Sequence, residues 1–160
     1  MGKTICANGF SHLRKRIYPF PTPVFTHLIP MSTKKVTVRA VVNYVHLSPI
    51  RRPSERKAYY RVDVIIPMCD TETLSRLSES VRAADETCTL PEVLKDGDLK
   101  GSHIYGGCYY FTAKRSVDIG PPKVSGTPRD GASVEITLRA MQTYRNDYKT
   151  VSFRLESIDF

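Results

Sequence analysis

The chain has 160 residues, enough for one ordinary domain, and its 41% hydrophobic and 25% charged residues are typical of a globular protein. No apolar run approaches the roughly 18 residues of a membrane-spanning helix, so we expect no membrane partner. A net charge of +8 and a pI near 9.4 favour a polyanionic partner.

The positive charge is concentrated in the first third of the chain. Residues 1–54 contain nine Lys and Arg residues and no acid, and the first carboxylate is Glu55. The rest of the chain is close to neutral. If the partner is a nucleic acid, we therefore expect it to enter at this basic third and its first hairpin.

Residues 1–30 differ from the rest of the chain because they are basic, contain several prolines and show no regular periodicity. Pro19, Pro21 and Pro23 would interrupt the amphipathic helix of a targeting peptide. We therefore predict a disordered basic arm or extension over residues 1–30, followed by a nucleic-acid-binding domain over residues 31–160.

A hairpin and a helix follow the arm. Residues 36–47 and 58–66 are rich in β-branched residues and alternate between apolar and polar positions, which predicts two strands. The loop between them, residues 48–57, is polar and basic. Asp70 is the predicted N-cap of a helix over residues 71–86, in which apolar residues recur at intervals of three and four.

Three more strands complete the predicted fold. Residues 105–114 form the third strand, and residues 132–144 and 150–158 form a final pair joined by a turn at residues 145–147. The intervening residues 115–131 are too rich in Pro and Gly for a central strand. Five strands and one interposed helix predict a mainly β protein with a five-stranded OB-type barrel, although the count also permits other small barrels.

The outer faces of the predicted strands carry cations, which neutralise phosphates, and tyrosines, whose rings stack on bases. Alternation also places Asp63 on an outer face. Tyr60, Phe111 and Phe153 share the parity of aliphatic neighbours and are assigned to the core. The basic loop of the first hairpin is a candidate clamp on the backbone. The candidate nucleic-acid-binding residues are Arg39, Tyr44, Arg51, Arg52, Tyr59, Arg61, Tyr110, Lys114, Arg139, Tyr144 and Arg154.

No motif in the sequence predicts an enzyme, a metal site or a cofactor. The four His residues lack metal-binding or catalytic spacing, and the four Cys residues include no C-x-x-C pair. Isolated cysteines are typical of reduced thiols in the core of a cytoplasmic protein. Asp96 and Asp98 flank Gly97 and indicate a turn rather than a cation site.

Three segments occur in an order that is typical of one known family. They are VIIPMCDTETLSRL at residues 64–77, the DGD turn at residues 96–98 and YGGCYYFTAKR at residues 105–115. Over residues 35–157 the chain resembles the phage-encoded single-stranded DNA-binding proteins with an OB-fold. Residues 1–30 lie outside the pattern of that family.

The end of the sequence resembles the family only in part. Members typically continue past the last strand into an acidic tail that recruits partner proteins. Glu156, Asp159 and Phe160 resemble the tip of such a tail, but no linker precedes them.

The resemblance implies a function that the residues alone do not define. It implies that the chain coats exposed single-stranded DNA in phage replication or recombination, in the host cytoplasm, with replication or recombination proteins as partners. The choice of DNA over RNA depends on this resemblance. The alternatives are an RNA-binding barrel, a basic protein-interaction module and, third, a small nucleic-acid-processing enzyme. Whether the chain forms a homo-oligomer is left open.

Overall fold

The computed structural model describes residues 35–50, 53 and 57–160. The five long strands are β1 (Lys35–Ile50), β2 (Tyr59–Pro67), β4 (Cys108–Ser116), β6 (Ser133–Arg145) and β7 (Tyr148–Asp159), and the short ones are β3 (Lys95–Asp96) and β5 (Lys123–Ser125). The helices are α1 (Thr71–Ala84) and α2 (Leu90–Val93), and 3₁₀ turns occupy Gly97–Lys100 and Val117–Ile119. The predicted arm of residues 1–30 and the candidate residues Arg51 and Arg52 lie outside the described residues.

The five long strands close into a barrel. Antiparallel pairing runs in the order β4, β2, β1, β6 and β7, and a parallel contact between Lys114 of β4 and Arg154 of β7 completes the ring. β1 reaches both neighbours because it is long, and its pairing with β2 shifts register after Asn43, as at a β-bulge. α1 lies between β2 and β4 in the chain. The predicted mainly β, five-stranded OB-type barrel with one interposed helix is therefore confirmed.

Strand alternation builds the core of the barrel. The predicted core rings of Tyr60, Phe111 and Phe153 are buried, and the centroids of Phe111 and Phe153 are 4.6 Å apart. Leu77 and Val81 of α1 are fully buried in the same core. Each such apolar side chain stabilises the fold by about 1.5–3 kcal/mol. In the part of the chain that the structure describes, no helix is long and apolar enough to cross a membrane.

The predicted N-cap of α1 is confirmed, and the helix ends earlier than expected. Asp70 Oδ1 accepts a hydrogen bond from the backbone N–H of Thr73 at 3.2 Å. At the other end, Asp85 Oδ1 accepts hydrogen bonds from the backbone N–H and the hydroxyl of Thr87, at 3.0 and 2.8 Å. This local bonding competes with continuation of the helix, so α1 stops at Ala84.

The third barrel strand begins later than the sequence indicated. β4 starts at Cys108 because Gly107 has a positive φ of 72°, which interrupts the extended backbone. Tyr105 therefore belongs to the preceding loop. The turn between β6 and β7 consists of Asn146 and Asp147, whose φ values of 48° and 67° are typical of a type I′ hairpin turn. The edge strand β5, parallel to β7, was not predicted because it has only three residues.

The cysteines agree only in part with the expectation of reduced thiols. Cys88 is buried and Cys108 is partly buried, and both carry reduced thiols. Burial raises the pKa of the Cys88 thiol to about 11, so it stays protonated at neutral pH. Cys69 is not a free thiol, and for this residue the expectation is wrong.

Candidate nucleic-acid interface

Strand pairing places five cations in one continuous row across the barrel. Arg61 of β2 is paired with Lys114 of β4, and Lys114 with Arg154 of β7. Arg154 is paired in turn with Arg139 of β6, and Arg139 with Lys35 of β1. Because neighbouring strands lie about 4.8 Å apart, the row is roughly 20 Å long. We call these five residues the cation row; all but Lys35 are candidates from the sequence.

The cation row winds around the barrel. It begins at Lys35 of β1, and at its other end Arg61 is paired with His46, which also belongs to β1. A row that returns to its first strand at a different height follows the shear of a closed barrel. A nucleic acid in contact with the whole row must therefore curve, and a flexible single strand curves more easily than a duplex, which is stiff over about 150 base pairs.

Two carboxylates are interleaved with the cation row. Because like charges on directly opposed residues repel each other, a row of cations needs negative charges nearby to offset the repulsion. Arg154 Nε donates a hydrogen bond to Glu156 Oε2 at 2.8 Å, and Arg139 Nε lies 3.6 Å from Glu156 Oε1. At the other end, Arg61 Nη2 lies 4.0 Å from Asp63 Oδ1. The row still has more cations than acids.

A group of tyrosines and lysines lies on the outer side of β1, β3 and β4. Lys100 Nζ is 5.0 Å from the ring centroids of Tyr105 and Tyr110 and 5.6 Å from that of Tyr44. Lys95 Nζ is 5.7 Å from the centroid of Tyr110. These are cation–π distances. We call these five residues the tyrosine cluster.

Asp63 holds the tyrosine cluster in place. Its side chain lies outside the barrel, as alternation predicts, but it is only 2% exposed. The hydroxyl of Tyr105 donates a hydrogen bond to Asp63 Oδ2 at 2.7 Å, and the hydroxyl of Thr112 donates one to Oδ1 at 2.8 Å. Asn43 Nδ2 donates to the Tyr105 hydroxyl at 3.1 Å. Asp63 therefore faces outwards as predicted, yet it is buried because the loop that carries Tyr105 covers it.

The rings of the cluster differ in what they can do. Tyr105 is 1% exposed, and burial raises the pKa of its hydroxyl, so it is a neutral support for its neighbours. Its ring contacts that of Tyr110 edge to face, with centroids 4.9 Å apart. Tyr44 is 50% exposed and Tyr110 is partly exposed. Tyr44 and Tyr110 are therefore the rings of this cluster that a base can reach.

Tyr59 and Lys114 connect the tyrosine cluster with the cation row. Lys114 Nζ is 5.3 Å from the ring centroid of Tyr59. Lys114 and Tyr110 point to the same side of β4, four residues or roughly 13 Å apart. The structure thus brings Tyr59, Tyr110 and the cations of the row onto one surface.

The candidate residues Arg39 and Tyr144 belong neither to the cation row nor to the tyrosine cluster. Arg39 is exposed on β1 and is paired with Glu135, which is paired with Asp159 on its other side. Tyr144 is 75% exposed beside the turn between β6 and β7. Contacts of Arg39 and Tyr144 with a nucleic acid stay predictions, as do those of the other candidate residues.

Sequence reasoning missed the lysines of the tyrosine cluster. Lys95 and Lys100 flank the DGD turn, in which Asp96 Oδ1 accepts from the backbone N–H of Asp98 at 2.9 Å and Asp98 Oδ1 from that of Gly107 at 2.7 Å. The turn was recognised, but nothing local indicated that it folds back onto tyrosines of β1 and β4. In the described part of the chain, no group of three or more His, Cys, Asp or Glu side chains is arranged to hold a metal ion.

Glu156 also differs from its interpretation as part of a tail. Glu156 lies within β7 and forms ion pairs with arginines, and Ile158, two residues further on, is 1% exposed in the core. Asp159 is paired with Glu135 in the sheet and accepts a hydrogen bond from the Ser125 hydroxyl at 2.7 Å. The resemblance of Glu156 and Asp159 to a tail tip is therefore wrong, because both belong to the barrel.

The fold is shared with a phage protein. No protein-family model and no curated protein matches the chain. The solved structure of the single-stranded DNA-binding protein from bacteriophage Enc34 in complex with ssDNA is similar, with a TM-score of 0.64 and 17% identity over 79% of this chain and 85% of that chain. A C-terminal truncation of that protein has a TM-score of 0.65 and 15% identity, covering 79% and 84%. The chain therefore has the fold of this phage single-stranded DNA-binding protein, a closed five-stranded barrel of the OB type.

Proposed function

We propose that the chain binds single-stranded DNA with little sequence preference and performs no bond chemistry. The observation that carries the proposal is the strand register, which aligns Arg61, Lys114, Arg154 and Arg139 on consecutive strands. The sequence predicts each of these cations from the alternation of its own strand, and only the strand register makes them neighbours. A continuous basic row beside partly exposed tyrosines is an arrangement typical of single-strand binding.

The tyrosines and the cation row contribute to the binding energy in different ways. Tyr44, Tyr59 and Tyr110 offer rings on which bases stack, and each stacked base contributes about 1–3 kcal/mol whatever its identity. The cation row neutralises phosphates, which adds affinity that declines with salt. Neither term reads the edges of bases, so we expect similar affinity for different sequences.

The preference for a single strand has a geometric reason. A strand that follows the winding cation row has to curve within about 20 Å, and its bases have to be unpaired to stack on the tyrosines. A duplex satisfies neither condition without deformation or melting. The Enc34 protein of similar fold was solved with ssDNA, which supports the same ligand here.

We further propose a biological role in coating exposed strands during phage-type replication or recombination, in the host cytoplasm. The resemblance in residues 64–77 and 105–115 supports this role, as does the shared fold. Replication or recombination proteins are then the expected protein partners.

Titration by fluorescence anisotropy tests the proposed function. Labelled oligonucleotides of single-stranded DNA, duplex DNA and RNA are compared at two salt concentrations. We expect single-stranded DNA to bind more tightly than duplex, with weaker binding at the higher salt. Equal binding to duplex would contradict single-strand selectivity, and tighter binding to RNA would favour the RNA-binding barrel. Absence of binding to all three would leave the protein-interaction module.

A further inference from the structure

Four cations converge on the carboxylate of Glu156. Arg154 Nε and Arg115 Nη1 donate hydrogen bonds to Oε2, at 2.8 and 3.0 Å. Arg139 Nε and Lys35 Nζ lie 3.6 and 3.8 Å from Oε1. The cations come from β1, β4, β6 and β7, so the barrel itself holds them around this one acid. We call these five residues the Glu156 cluster.

One carboxylate does not balance this charge. Among the residues that the structure describes, four cations and one acid leave this cluster with an excess of three positive charges. The side chain of Glu156 is 14% exposed, while those of Arg139 and Arg154 are 27% and 28% exposed and that of Lys35 is 50% exposed. The solvent side of the cluster is therefore formed by cations, with the acid beneath them.

Arg115 has a different role from the other cations. Its Nε donates to the carbonyl of Gly120 at 2.8 Å, and its Nη1 donates to the carbonyl of Leu155 at 3.1 Å. These bonds tie the connection after β4 to β7. Arg115 is thus a structural support, and the cations that can turn towards a ligand are Lys35, Arg139 and Arg154.

We propose that the Glu156 cluster is a phosphate-binding site and that the Glu156 carboxylate occupies it in the free protein. A phosphate group offers the same kind of charged oxygen acceptors as a carboxylate, and Arg recognises both. A phosphate that displaces the Glu156 carboxylate gains the cationic partners that surround the two carboxylate oxygens in the free protein. The carboxylate also keeps the mutually repelling arginines together until the phosphate arrives.

This site has a consequence for strand binding, which rests on the proposed function. Arg139 and Arg154 belong to both the Glu156 cluster and the cation row. A phosphate of the strand therefore competes with Glu156 for these two residues. Glu156 lowers the affinity for single strands by holding one phosphate position, and it thereby favours release.

The phosphate site is tested without nucleic acid, by thermal unfolding of Glu156→Gln. Glu135→Gln is the matched control, because Glu135 is exposed on β6 and its replacement changes the net charge equally. Melting temperatures are compared in sodium phosphate and sodium chloride at equal ionic strength and pH. We expect phosphate to raise the melting temperature of Glu156→Gln by about 3 °C more than that of wild type or Glu135→Gln, because the ligand binds only the folded state.

Equal gains in all three proteins would overturn the phosphate site, since they would reflect a general effect of the salt. If Glu156→Gln unfolds in chloride, recovery of its fold in phosphate supports the site. Failure to fold in either salt would overturn it, because a fitting phosphate should replace the missing carboxylate.

Competition with a strand is tested by anisotropy titration of the same variants. We expect Glu156→Gln to bind a single-stranded oligonucleotide about fivefold more tightly at 0.1 M salt, with a log–log salt slope steeper by about 0.7, which corresponds to one more phosphate. Glu135→Gln should stay close to wild type. Weaker or unchanged binding by Glu156→Gln would overturn the competition. Absence of binding by wild type would overturn the proposed function. The phosphate-binding site would then be tested by the thermal-unfolding experiment alone.

Discussion

Replacement of Lys114 by Gln tests whether the cation row contacts a nucleic-acid backbone. Lys114 stands in the middle of the row, paired with Arg61 on one side and Arg154 on the other. On a single strand, each neutralised phosphate contributes about −0.7 to the slope of log affinity against log salt. Five cations therefore give a slope of at most about −3.5, and the affinity of wild type falls by up to roughly 100-fold between 50 and 200 mM salt.

Gln removes the charge of Lys114, whose Nζ lies over the ring of Tyr59, but keeps a polar side chain at this position. We expect the slope to become shallower by about 0.7 and the affinity at 0.1 M salt to fall about fivefold, or ~1 kcal/mol. Arg76→Gln is the control, because it makes the same change of net charge at an exposed position on α1. The measurement is anisotropy of a labelled thymidine oligonucleotide over a series of salt concentrations. Equal losses in both variants, or an unchanged slope for Lys114→Gln, would refute the reasoning.

Three further predictions concern stacking, helix capping and pH. Tyr110→Leu should weaken binding by about 1–3 kcal/mol, to the same extent for thymidine and cytidine oligonucleotides. Tyr148→Leu, at a hairpin position that is 66% exposed, should leave the affinity unchanged. Equal losses of affinity in the two variants would contradict base stacking on Tyr110. Asp70→Ala should lower the free energy of unfolding in urea by about 1 kcal/mol, and no loss would argue against the cap. Burial raises the pKa of Glu156, but hydrogen bonding to Arg154 and the neighbouring charges outweigh it, so the folded pKa lies below the ordinary value of 4.5. Glu156 therefore contributes its full stabilisation above pH 4.5, and this contribution is lost as the pH falls through the folded pKa. The difference in unfolding free energy between wild type and Glu156→Gln should accordingly narrow in acid. A difference that stays constant with pH in urea titrations would contradict the lowered pKa of Glu156.

Local patterns in the sequence were sufficient to predict the five long strands and α1 of this fold. The alternation over residues 58–66 predicted β2 and the core position of Tyr60, and Asp70 marked the start of α1. These features depend on contacts within a few residues, so the sequence shows them directly. Where a local feature was decided by one backbone angle, as at Gly107, the predicted boundary was wrong by three residues.

The sequence also identified most of the residues in the candidate surface, but not their arrangement. Alternation showed that Arg61, Lys114, Arg139 and Arg154 face outwards, which is a property of each strand alone. It did not show that they are neighbours. The pairing of Lys114 with Arg154 depends on the parallel closure of β4 against β7, and that register is set by the shear and the bulges of the whole barrel.

Short-range patterns define the five long strands, the capped helix, the core rings and the outward cations of this protein, because each follows from the periodicity or capping of a short segment. The folding of the barrel, by contrast, buries Asp63 beneath Tyr105, brings Lys100 to three tyrosines and places Glu156 among four cations. These contacts join residues that are distant in the chain. The exposure and the electrostatic surroundings of these residues therefore depend on how the barrel closes, which no local sequence pattern predicts.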